Sequence, residues 1–135
     1  NLNIALQIGQ CLTRLENSAE AFAYFYKVEY LEKNPNNARR AIAWCSFLTG
    51  KYEESLKYYK QLTSDPSVKA EDWMNAGHVF RVCGNMQEAI KHYQKAHEFF
   101  PNHSEFIRMF LKDQAVLQAQ GISSEDSHIQ LDLLI

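Results

Sequence analysis

Residues 34 positions apart in this chain match one another repeatedly, and that period constrains the fold more than any other feature. Ala21, Ser55 and Ala89 are small residues in one such series, and Phe25, Tyr59 and Tyr93 are aromatic in another. Glu20, Glu54 and Glu88 form a third, Gly9, Ala43 and Gly77 a fourth, and Gly50 and Gly84 add a further pair. Four of the five glycines thus fall on two recurring positions. A fixed period of this length marks a supersecondary unit that buries its apolar face by stacking on copies of itself. The register gives repeats at residues 2–35, 36–69 and 70–103 with no gap.

Each repeat reads as two helices. In the third, Trp73, Ala76 and Phe80 stand at i, i+3 and i+7, while Met86, Ile90, Tyr93 and Ala96 form the stripe of a second helix. The small residues at repeat positions 8 and 20 belong where two helices approach closely, since a larger side chain would hold them apart. Gly50 and Gly84 stand where a helix C-cap requires positive φ. Pro35, Pro66 and Pro101 close the repeats by stopping the second helix. The expected fold class is all-α: an array of antiparallel helical hairpins in a single domain over residues 1–135.

From Trp73 to Pro101 the chain reads W-x-x-A-G-x-x-F-x-x-x-G-x-M-x-x-A-x-x-x-Y-x-x-A-x-x-x-x-P, which closely resembles the tetratricopeptide repeat. The second repeat keeps G-K-Y-E-E-S-L-K-Y-Y from Gly50 to Tyr59, with Arg39 at the family's Trp position and Ser46 at an aromatic one. The first keeps Gly9, Leu12, Ala21, Phe25 and Val28, with Glu16 at the glycine position and Asn17 beside it. The resemblance covers about three quarters of the chain and implies a right-handed superhelical array whose first helices line a concave groove. Beyond Pro101 the period weakens. Phe106, Ile107, Phe110 and Leu117 keep a helical stripe, so residues 104–120 are expected as a capping helix with a polar outer face. Ser123 and Asp126 resemble a helix start, so 123–135 is expected as a short closing helix.

Composition narrows the activities. A formal net charge of −2 offers no basic field for nucleic acid or an anionic membrane. No apolar run approaches the roughly 18 residues of a membrane-crossing helix. Cys11, Cys45 and Cys83 are odd in number and form no C-x-x-C pair, so reduced, buried thiols in a cytoplasm-like compartment are expected. His92 and His97 are five residues apart and so face different directions on a helix, and a surface or interface role is expected for them rather than metal ligation. No phosphate-binding loop or nucleophile elbow is present, and no cofactor, metal site or catalytic residue is expected.

The resemblance implies that repeat positions 2, 5, 6, 9, 12 and 13 face the groove. The candidate binding residues on that register are Gln10, Arg40, Trp44, Phe47, Met74, Asn75, His78 and Arg81, with Arg108 and Lys112 in the same phase on the capping helix. Trp44 and Phe47 are large aromatics three apart on one helical face, at positions the core is not expected to need. Arg14, Arg40, Arg81, Arg108 and Lys112 outnumber Glu71 and Glu105 around them. That balance suits an extended or helical peptide of acidic character; alternatively, Trp44 packs between neighbouring helices. The family's clamp for a terminal carboxylate is not matched, because its positions read Asn3 and Gln7, Asn37 and Ala41, and Glu71 and Asn75. The expected activity is a non-catalytic scaffold for a protein or peptide ligand. The alternatives are self-association into a homo-oligomer through the terminal helices, including Leu131–Ile135, and, less favoured, RNA binding.

Overall fold

The structure, a computed structural model, describes residues 18–123. The first helix of the first repeat with Gln10 and Cys11, and the closing helix beyond Ser123, lie outside the described residues. Seven helices are described: α1 (Ser18–Leu31), α2 (Asn36–Leu48), α3 (Tyr52–Thr63), α4 (Ala70–Val82), α5 (Met86–Phe99), α6 (His103–Lys112) and α7 (Gln114–Ala119). Sequential helices pack as pairs: α1 on α2, α2 on α3, α4 on α5 and α5 on α6. The fold is all-α, and α2 and α3 recur 34 residues later as α4 and α5. The chain divides into two compact halves, Asn1–Ser67 and Val68–Ile135.

Helix ends repeat with the same period. At Gly50 (φ 80°) the Gly50 N–H donates to the Phe47 carbonyl and the Lys51 N–H to the Ser46 carbonyl. At Gly84 (φ 82°) the equivalent donors reach Arg81 and Phe80. Both are Schellman closures, which need a left-handed residue that only glycine supplies without strain. Helix starts are capped individually. The Asn85 side chain accepts from the Glu88 N–H, the Asn102 side chain from the Glu105 N–H, and Asp72 accepts from the Lys69 N–H at 2.9 Å.

In the N-terminal half, the small residues at positions 8 and 20 meet directly. The buried Ser55 hydroxyl donates to the Ala43 carbonyl at 2.7 Å and joins α3 to α2. Glu29 of α1 takes the Tyr58 hydroxyl at 2.9 Å and the Arg39 Nε at 3.4 Å, so one carboxylate ties three helices together. Partial burial, then the bond to Glu29, pushes the Tyr58 phenol upward.

The C-terminal half is built around Met74, Ala89, Tyr93, Ala96, Phe100, Phe106 and Phe110, with Trp73 and Phe80 packed alongside. Gly77 lies beneath the Tyr93 ring, where a Cβ would come within 2.7 Å of a ring carbon. The expected capping helix over 104–120 is two helices. The chain turns at Asp113 (φ −90°, ψ 11°) before α7 begins. A physical reason lies beside the turn, where the Asp113 carboxylate reaches inward to a histidine of α4.

Candidate functional site

Helix α2 carries the candidate residues of the N-terminal half. Asn37 is exposed, and Arg40, Trp44 and Leu48 are half-buried along one stripe of the helix. Arg40 donates to the Asn37 side chain at 3.3 Å and to the Ser67 carbonyl at 3.3 Å. The guanidinium is thereby held near the indole face of the helix. The Trp44 ring lies 5.3 Å from that of Phe47, which in turn lies 5.9 Å from Tyr52. Phe47 is fully buried. The expectation that Phe47 is not needed for the core is therefore corrected: it plugs the gap between α2 and α3, and only Trp44 of the pair keeps accessible surface.

In the C-terminal half, Met74, His78 and Arg81 are also buried, with Arg81 4 % exposed. The reason is α6, whose Phe110 closes over α4. The Phe110 ring stands 5.8 Å from the His78 ring and 5.6 Å from the Arg81 guanidinium carbon. Both side chains therefore belong to the hairpin's interior rather than to a ligand face. Asn75 is half-buried, and Arg108 and Lys112 are exposed. Arg108 is clasped by Glu105 through two nitrogens, which offsets much of its charge.

His78 forms a buried polar chain that the sequence reading missed. Its Nδ1 lies 2.7 Å from the Tyr93 hydroxyl and its Nε2 3.3 Å from Asp113 Oδ2. A carboxylate beside Nε2 favours the ring proton there, leaving Nδ1 to accept from the Tyr93 O–H. Burial lowers the His78 pKa and Arg81 lowers it further, against the opposing pull of Asp113. Burial also raises the Tyr93 phenol. Burial thus favours the neutral ring, which serves as a structural crosspiece between α4, α5 and the Asp113 turn. His78 is fully buried, so it has no access to solvent.

Among the described residues, no group of three or more His, Cys, Asp or Glu side chains is placed to hold a metal ion. Cys45 is buried, as expected of its repeat position, whereas Cys83 is exposed, against the expectation of buried thiols. No helix among the described residues is long and apolar enough to cross a membrane.

The helices, their glycine closures and their 34-residue register are joined by a match to known families. Residues 2–35 and residues 70–103 each match the tetratricopeptide repeat, together half of the chain. This chain belongs to the tetratricopeptide repeat family. The matched segments have the bounds that internal spacing gave the first and third repeats, and α2 with α3 supplies the intervening hairpin. No curated protein matches the chain. Tetratricopeptide repeat domains generally act as protein–protein interaction modules and are typically non-catalytic.

Proposed function

We propose that the chain is a binding scaffold that holds a segment of a partner protein against the outer stripe of α2. One observation carries this reading: Asn37, Arg40, Trp44 and Leu48 keep accessible surface along one helical face while their neighbour Phe47 is sealed into the core. A large aromatic that the core does not consume, beside a guanidinium held in place, is the composition of an interaction anchor. A ligand matching it has an apolar side chain for the indole and an acidic group for Arg40.

Site-specific photo-crosslinkers at Asn37 and at Lys60 test the location. Lys60 lies on the exposed side of α3. Capture of one defined partner segment from position 37 and not from position 60 is expected. Equal capture from both positions, or none from position 37, would sink the reading.

Tyr30 and Leu31 favour a second reading, since they are 88 % and 66 % exposed at the end of α1. A second copy of the chain docking there would cover them, and sedimentation across a concentration range decides it. A monomer at all concentrations removes this alternative.

A further inference from the structure

We propose that His97 and His103 form a binding site for a late first-row divalent cation, with Cu²⁺ preferred and Ni²⁺ and Zn²⁺ bound less tightly. His97 sits in the last turn of α5 and His103 opens α6, on either side of the turn at Phe100–Asn102. His97 Nε2 and His103 Nδ1 stand 2.9 Å apart, and both side chains are exposed. Metal–imidazole bonds of about 2.0–2.1 Å meeting at a right angle separate two nitrogens by about 2.9 Å. The pair has that spacing through its hydrogen bond, so both rings keep their separation and turn their lone pairs from each other toward the ion. The spacing suits neighbouring positions on a square-planar or octahedral ion better than the wider angle of tetrahedral zinc.

Besides their mutual hydrogen bond, which a metal would replace, the two rings are positioned by contacts outside the pair. The His97 ring packs edge-on to the buried Phe106 at 4.9 Å, and the Asn102 side chain caps α6 one residue before His103. Without metal, one ring donates a proton to the other across the 2.9 Å contact. Coordination requires the donating ring to move that proton to its other nitrogen, so a neutral pair loses no proton on binding. Water fills the remaining positions, because the site faces solvent. The nearby carboxylate of Glu98 is engaged by Lys95 at 3.7 Å and is not counted as a ligand. His92 is differently placed: its Nδ1 contacts the Glu88 carbonyl and its ring lies against Trp73 and Phe80. A bound ion would brace the end of α5 to the start of α6, so it would stabilise the folded C-terminal half by mass action.

Titration of the metal-free chain with Ni²⁺ alone, followed by thermal melting and by Cu²⁺ electron spin resonance, tests this. The expected result is one ion per chain, a rise in Tm with Ni²⁺, and a Cu²⁺ spectrum showing two nitrogens. His97→Gln and His103→Asn should each weaken Ni²⁺ binding at least tenfold and abolish the Tm rise, with helical content unchanged. His92→Ala should leave all three readouts as they are. Undiminished binding in His103→Asn, a one-nitrogen spectrum, or no uptake by the unaltered chain would overturn the site.

Discussion

A Cβ built on Gly77 would lie 2.7 Å from the Tyr93 ring, closer than any relaxed carbon–carbon contact. The glycine of α4 and the tyrosine of α5 therefore set how closely this hairpin closes. Tyr93 is itself held by its hydroxyl contact to His78, so it has little room to withdraw. Gly77→Ala is expected to lower stability by about 1–3 kcal/mol, the usual range for overpacking. Denaturant unfolding measures it, and an unchanged midpoint would show that the ring moves freely.

The Ser55 hydroxyl makes the equivalent closure in the N-terminal half, donating to the Ala43 carbonyl. Ser55→Ala keeps the small volume and removes only this bond. A loss of about 0.5–1.5 kcal/mol is expected, in line with a single neutral hydrogen bond. Ser55→Thr has the same donor and an added methyl in a buried site, and it should be at least as destabilising.

His78 gives the C-terminal half a pH dependence with a definite sign. Burial, reinforced by Arg81, holds its pKa below the ordinary histidine value of 6.5, so the unfolded chain binds its proton more readily than the folded one. Stability is therefore full above about pH 6.5 and falls as the solution is acidified below it. Melting at pH 7.5 and pH 5.5 should show a lower Tm at the acid end. His78→Gln should flatten that difference, and a slope that survives the substitution would assign it to other groups.

Much of this structure was legible as spacing. Gly50 and Gly84 announced the helix ends because a left-handed closure needs glycine wherever it occurs, and the closures recur at an interval of 34 residues. Ala43, Ser55, Gly77 and Ala89 announced the helix contacts because close approach excludes larger side chains. The candidate binding residues were less legible, for a reason seen at Phe47 and His78. Family register gives a direction on the helix, but whether that direction reaches solvent depends on what packs over it. For His78 and Arg81 the cover is Phe110, which lies beyond the last full repeat where the period had faded. Asp113 stands at the turn between α6 and α7, also beyond the period, with its carboxylate 3.3 Å from His78 of α4. His97 was expected at the surface, but its contact with His103 was not legible, because a turn rather than a helix face brings the two rings together.

The proposed binding face turns on Trp44 and Phe47, two rings 5.3 Å apart of which only Trp44 keeps accessible surface. Phe47→Ala should cost about 3–5 kcal/mol and lower Tm accordingly, as removal of a buried aromatic does. The decisive measurement is the affinity of Trp44→Ala for the segment captured at position 37, made alongside its thermal melt. An affinity at least tenfold weaker, with helical content kept and Tm changed by only a few degrees, is the predicted result. Full affinity, or unfolding that matches Phe47→Ala, would contradict the assignment of the α2 face as the binding surface.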